Sequence, residues 1–330
     1  MGLLDRLKKK SLNREAFGLI HHGEYLKALK NYEEILKIDS LDSKAWSNKG
    51  SALFELKRFD EALSCFDKAL ELDPTYIDAW YNKGVSLEDL GKYHDALRCY
   101  NKVLELDPMH ISALNNKGVV LEKLESHQES LECFDKVLEK DPTHISAWYN
   151  KGVSLKDHGK YHEALSCFEK VLELDPTYID AWYNKGVIYY NLRDYYEVLR
   201  CFDKVLELDP TYIGALNNKG VVLEKLERYQ EALKCFDKVL ELDPMYVGAW
   251  YNKGNTLMYL ERYHEGLECF DKALKIDPDE VSAWYNKGDA LLDIERYQEA
   301  LECFDKALKL DPNFKPALKA KEEILKVKTQ

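Results

Sequence analysis

The chain has 330 residues, with 47 Lys or Arg against 59 Asp or Glu, for a formal charge of −12. An acidic excess of that size excludes a protein that binds nucleic acid by neutralising phosphates. With no long apolar run for a membrane span and no basic-apolar-small export pattern at the amino terminus, the composition predicts a soluble, cytoplasmic protein.

Residues 1–8 form a lead-in in which Leu3, Leu4 and Leu7 sit beside Arg6, Lys8, Lys9 and Lys10, with Arg14 a little further on. Such a segment can touch anionic lipid, but a solvated capping turn is the commoner use of this pattern, and membrane association is not expected. Arg6 also stands where an acylation motif needs Ser or Thr. From residue 9 the chain repeats itself every 34 residues. Nine repeats start at 9, 43, 77, 111, 145, 179, 213, 247 and 281 and fill residues 9–314. Asp-Pro at 73, 107, 141, 175, 209, 243, 277 and 311 closes each one, because proline lacks an amide hydrogen and disfavours helix in the residue before it. Between two such marks lie two apolar-periodic stretches and a turn such as Gly91-Lys92, so each repeat is expected to be a hairpin of a first helix A and a second helix B. The first repeat is the most degenerate, with Ser40 in place of the proline. Past Pro316, residues 315–330 predict a capping helix in which Ala317, Leu318 and Leu325 cover the ninth repeat.

Eight cysteines, from Cys65 to Cys303, also recur every 34 residues. Equivalent positions of neighbouring helical hairpins lie at least about 8–10 Å apart, beyond disulfide reach, so these are expected to be reduced packing residues. Counting positions within the repeat from Ile77, Trp80 falls at 4, Gly84 at 8, Tyr93 at 17, Ala96 at 20, Tyr100 at 24, Val103 at 27 and Pro108 at 32. That arrangement resembles the tetratricopeptide repeat and covers nearly the whole chain. The resemblance implies an all-α fold, an α-solenoid of hairpins wound as a right-handed superhelix, with A helices lining the concave side and B helices the convex side. Small residues at positions 8 and 20 let paired helices approach, and aromatics at 4, 17 and 24 are expected to fill the space between hairpins.

On a helical wheel of about 100° per residue, positions 4, 8 and 11 of helix A mark its buried side, and positions 2, 6, 9 and 13 face away from it. Position 6 is asparagine in eight repeats: Asn48, Asn82, Asn116, Asn150, Asn184, Asn218, Asn252 and Asn286. A carboxamide both donates and accepts, so such a ladder can pair with the backbone of an extended peptide whatever its side chains. It resembles the asparagine ladders of the tetratricopeptide superhelix of O-linked N-acetylglucosamine transferases and of importin-alpha; solvation of the helix face is the plainer alternative. Position 9 holds Val85, Val119, Val153, Val187 and Val221, either as an exposed apolar stripe or packed against the next helix A. Tyr81, Tyr149 and Tyr183 at position 5 and Tyr190 at position 12 complete an apolar-aromatic groove with an amide rail. Lysine at position 7, Lys83 for instance, replaces the family's usual leucine. Its stem is expected to shield the tryptophan and its ammonium to reach an acid of the preceding repeat, such as the Asp at position 31.

The family's clamp for the carboxylate tail of chaperones needs lysine at position 5, and no repeat has one there. Among the groove positions of the central repeats, Asp78, Glu88, Asp89, Glu122, Asp157, Asp180 and Glu224 outnumber Lys123, Lys156 and Lys225, which predicts a neutral or mildly basic partner segment. No phosphate-binding glycine loop, nucleophile elbow or metal-spaced His/Glu motif is present. The sequence therefore predicts no catalysis, no cofactor and no metal. It points to an adaptor that binds an extended protein segment, with a self-associating scaffold that uses the convex face or the ends as the alternative.

Overall fold

The computed structural model describes residues 2–328, with side chains through residue 324. Among them are nineteen α-helices and no strand, divided between two compact halves, Met1–Leu174 and Asp175–Gln330. The first half holds α1 (Leu3–His21), α2 (Tyr25–Ile38), α3 (Ser43–Glu55), α4 (Phe59–Leu72), α5 (Ile77–Asp89), α6 (Tyr93–Leu106), α7 (Ile111–Lys123), α8 (His127–Lys140), α9 (Ile145–Asp157) and α10 (Tyr161–Leu174). The second holds α11 (Ile179–Asn191), α12 (Tyr195–Leu208), α13 (Ile213–Lys225), α14 (Tyr229–Leu242), α15 (Val247–Tyr259), α16 (Tyr263–Ile276), α17 (Val281–Asp293), α18 (Tyr297–Leu310) and α19 (Lys315–Lys328). Within each half every odd-numbered helix packs on the even one after it, and that helix packs on the next odd one. The result in each is a solenoid of stacked hairpins whose core runs along the stack. None of the described helices is long and apolar enough to cross a membrane.

The hairpin is closed by glycine and one large ring. A β-carbon on Gly118 would lie 2.6 Å from the ring of Phe134, and one on Gly84 would lie 2.7 Å from that of Tyr100. Phe66, Phe134, Phe168, Phe236, Phe270 and Phe304 at position 24 are all fully buried. This corrects the expectation for position 24, whose aromatic fills the space inside its own hairpin, where the missing side chain at position 8 makes room for it. The turn between the helices places position 15 in the left-handed region. Glycine takes it at Gly23, Gly91 and Gly159, but Lys57, Glu125, Arg193, Glu227, Glu261 and Glu295 adopt it with φ near 60°. The following amide then reaches back to the last turn of helix A, as Arg58 N does to Leu53 O at 2.9 Å.

Each Asp-Pro builds a second, tighter corner. Asp73 ends α4 in an extended conformation, and its Oδ1 accepts from the Thr75 amide at 3.0 Å and the Thr75 hydroxyl at 2.7 Å. The carbonyl of Pro74 accepts from Trp80 Nε1 at 2.9 Å, which fixes the indole over the corner.

At the amino terminus, the lead-in is not a turn: α1 starts at Leu3 and runs without a break into the first repeat, and Lys9 pairs with Asp39 at 2.6 Å and Asp42 at 2.7 Å. At the other end α19 stands in the register of a tenth helix A. Ala317, Ala320 and Ile324 are its buried side chains, whereas Leu318, expected to help cover the ninth repeat, is 43% exposed; the Leu325 side chain lies outside the described residues. The register puts Leu318 at position 4, and among the described residues no helix B follows α19 to enclose that position.

Candidate functional site

Lysine at position 7 is the simplest feature of the A-helix face to account for. Lys151 Nζ lies 2.6 Å from Asp135 Oδ1 and 5.7 Å from the centre of the Trp148 ring, and Lys253 repeats this with Asp237 and Trp250. The lysine does cover the tryptophan, with a cation-π contact added. Its acid, however, is at position 25 of the preceding helix B rather than position 31, because the Asp of Asp-Pro is already holding its own corner.

The asparagines do something the wheel does not show. Asn116 Nδ2 donates to the Tyr81 hydroxyl at 3.2 Å, Asn150 Nδ2 to Asn115 Oδ1 at 3.2 Å, and Asn82 Nδ2 to Ser51 Oγ at 3.2 Å. In the second half Asn218 Nδ2 donates to Tyr183 OH at 3.1 Å, Asn252 to Asn217 Oδ1 at 3.2 Å, and Asn286 to both Tyr251 OH and Asn255 Oδ1. The ladder thus ties α5, α7, α9, α13, α15 and α17 each to the A helix before it, through position 5 or position 9. At least one Nδ2 hydrogen of each of these asparagines is used within the protein, while Oδ1 of Asn82, Asn150 and Asn252 accepts nothing among the described residues. Asn184 is buried, and its Nδ2 donates to the Asp180 carbonyl of its own helix at 2.8 Å.

Tyr81 lies against Tyr100 and His110, with ring centres 6.1 and 5.4 Å apart, and Tyr183 lies against Phe202 and Tyr212 at 5.7 and 5.1 Å. Tyr149 packs on Phe168 at 5.9 Å. These position 5 rings are therefore wedged between the groove surface and the hairpin core. Val85, Val119, Val153, Val187 and Val221 are all half-buried, between the two alternatives of a bare stripe and a packed seam.

The valines open into pockets. In the second half Val187, Tyr190, Phe202, Asn218 and Val221 line a cavity of about 180 Å³. In the first half Val119, Glu122, Phe134, Tyr149, Asn150 and Val153 line one of about 240 Å³, together with Lys123, Ser154 and Asp157. By repeat position they are the same pocket: two valines from successive A helices, the position 24 phenylalanine as floor, and the ladder asparagine on one wall. They differ at position 12, tyrosine in one and glutamate in the other. Burial raises the Glu88 and Glu224 carboxyls at that position above the ordinary carboxylate range, partly offset by the hydroxyls of Tyr100 and Thr256 respectively. Burial acts in the same sense on Glu122, but hydrogen bonds from Ser154 and His127 outweigh it and hold that group below the ordinary value.

Sequence reasoning found the valines, asparagines and Tyr190 of the lining but not its floor phenylalanines, and it missed both the lateral hydrogen bonds and one cluster of His and Glu beside the first-half pocket. That cluster has no metal-motif spacing; its signal was two histidines standing at positions that, His22 apart, are apolar or aromatic in the other repeats.

The model of the tetratricopeptide repeat matches residues 43–76, 77–110, 111–144, 145–178, 179–212 and 214–246, and a second model of the same repeat matches 251–313. A comparison with curated protein sequences gives no match. Among solved structures, YrrB, described as a TPR protein with an unusual peptide-binding site, is 29% identical with a TM-score of 0.51 over 58% of this chain and 99% of its own. A tetratricopeptide repeat protein from Parabacteroides merdae is 18% identical with a TM-score of 0.58 over 76% of this chain and 99% of its own. PilF of Pseudomonas aeruginosa is 20% identical with a TM-score of 0.55 over 63% and 94%. The last two likenesses speak to the fold alone.

Proposed function

We propose, from the premise that this chain belongs to the tetratricopeptide repeat family, that it is a non-catalytic protein-interaction scaffold whose A-helix face holds an extended, neutral to mildly basic segment of a partner. The observation that carries this reading is the recurrent pocket, a valine-walled socket with a phenylalanine floor between Val187 and Val221 in one half and between Val119 and Val153, with a polar rim, in the other. Each socket suits one apolar side chain of an extended peptide, and the unspent Oδ1 of Asn82, Asn150 or Asn252 beside such a path can accept a peptide N–H. YrrB, a relative described by its peptide-binding site, supports the class of ligand. The groove acids set the charge preference. We place the protein in the cytoplasm on its composition.

The test is affinity capture followed by mass spectrometry with the wild type, with Val187→Glu combined with Val221→Glu, and with Asn82, Asn116 and Asn150 changed to alanine. A partner retained by wild type and lost on the valine variant is the expected result; retention by all three proteins refutes groove binding. A second reading, self-association through an end of the array, is favoured by the exposed apolar side of α1, where Leu3, Leu4 and Leu7 are 75%, 81% and 57% exposed. Sedimentation that shows a monomer over a wide concentration range removes it.

A further inference from the structure

At the junction of the repeats that start at 111 and 145, three side chains with metal-ligand chemistry converge from three helices. Glu122 comes from the last turn of α7, His127 is the first residue of α8, and His158 caps the end of α9. One ligand atom from each lies within 4.8 Å of the others, and the two imidazole centres are 3.6 Å apart. We propose that Glu122, His127 and His158 form a binding site for one divalent first-row transition-metal ion such as zinc, with water completing the coordination on the exposed side of His158.

Two departures from the repeat meet here. Position 14 is leucine or isoleucine at 56, 90, 124, 192, 226, 260 and 294, and position 17 is tyrosine or phenylalanine in every repeat except the one holding His127. Histidine therefore replaces an apolar residue at both positions, in successive repeats, where the two side chains touch. The first repeat supplies an internal control. His22 also stands at position 14 and its Nδ1 donates to the Gly18 carbonyl at 2.7 Å, but position 17 there is Tyr25, so helix capping alone does not gather a ligand set.

The surrounding bonds prepare the donors. A carbonyl only accepts, so the 2.7 Å contact of His158 Nδ1 with Ser154 O puts the proton on Nδ1 and leaves Nε2 with its lone pair. Glu122 Oε2 lies 2.9 Å from His127 Nδ1, so an ion entering there takes the place of the proton between them and binds that ring through Nδ1. Ser154 Oγ donates to Glu122 Oε1 at 2.5 Å, so one serine orients two of the three ligands. A tetrahedral zinc with bonds near 2.0–2.1 Å wants its donors about 3.4 Å apart, a closure that side-chain rotation supplies. The donor set, two imidazoles and one carboxylate, suits zinc and its neighbours rather than calcium or magnesium. A bound ion would staple α7, α8 and α9 together. It would also neutralise Glu122, which lines the first-half groove pocket.

The experiment titrates zinc chloride alone into the full chain, kept reduced, and follows heat and thermal unfolding for wild type, His158→Leu, His127→Tyr, Ser154→Ala and, as a control on α16 that is not part of the cluster, His264→Tyr. The first two substitutions restore the residues that other repeats carry, so circular dichroism should show intact helix. Wild type is expected to bind one zinc per chain and to melt higher with it. Each histidine change in the cluster should weaken binding at least about 100-fold, and the serine change about 10-fold, with His264→Tyr unchanged. No zinc uptake by the wild type near 100 µM, or equal uptake by His158→Leu, overturns the proposal.

Discussion

Burial has a chemical consequence at the recurring cysteines. It pushes the thiols of Cys99, Cys167, Cys269 and Cys303 from the ordinary 9.0 up to about 11, and that of Cys201 to about 12, partly offset by the neighbouring lysine. Only the thiolate attacks disulfide reagents, and two pH units cut its fraction about 100-fold. At pH 8 the folded chain should therefore react with a disulfide reagent at least about 100-fold more slowly than the chain in guanidinium; rapid labelling of the native protein would contradict these buried thiols. The sign of the pH dependence follows. The thiols are neutral in the fold and the unfolded chain ionises first, so their contribution is whole below pH 9 and is lost as pH rises through about 11. The glycine opposite the position 24 ring allows a sharper substitution. In Gly118→Ala the new methyl would sit 2.6 Å from the Phe134 ring, itself fully buried, so neither can yield cheaply. Overpacking costs about 1–3 kcal/mol and the gain in helix propensity returns at most about 1, so net destabilisation near 1–2 kcal/mol is expected in urea unfolding. A neutral or stabilising result would show that the hairpin can open without penalty.

At the level of the element, the hairpin turn is where this chain departs most from what its backbone prefers. Glu227 holds φ at 59° with no glycine to relieve the contact between its β-carbon and the carbonyl. Glu227→Gly should stabilise the protein, because relief of about 1 kcal/mol or more exceeds the entropy glycine adds to the unfolded chain; a lowered urea midpoint would contradict it. Helix boundaries were legible because Pro108 and its equivalents, with glycine at 8, impose local constraints that survive in any tertiary context. The partners of Lys151 and Asn150 were not legible. Both positions 25 and 31 are acidic, and only the corner geometry shows that the Asp of Asp-Pro is occupied by its own turn. Whether Asn150 meets Asn115 or a solvent molecule depends on the lateral offset of neighbouring A helices, which no periodicity encodes. The groove wall was legible as a set of residues, yet the half-buried state of Val153 and Val221 comes from the depth of the floor phenylalanine, a property of packing between repeats.

For the whole molecule, repetition sets how stability is distributed. Each hairpin touches only its neighbours, so within a half the stability is a sum of single-repeat and nearest-neighbour terms, and an end is open on one side. The carboxy-terminal end is closed by α19, which buries Ala317, Ala320 and Ile324 against a cluster that includes Phe304 and Ala307. Its Lys321 pairs with Asp305 as the position 7 lysines of complete repeats pair with theirs, so α19 reproduces the interface of a next repeat. Ending the chain after Pro312 would expose one face of α18. Uncovering a phenylalanine costs about 1.5–3 kcal/mol, which corresponds to amide exchange about 10–100-fold faster wherever the opening reaches. The nearest-neighbour picture predicts that this acceleration is confined to α17 and α18, fades through α15 and α16, and leaves α3 to α8 at wild-type rates in hydrogen exchange read by mass spectrometry. Uniform acceleration along the chain would mean that the array unfolds as one cooperative block, and the cap would then stabilise the entire molecule rather than the repeat it touches.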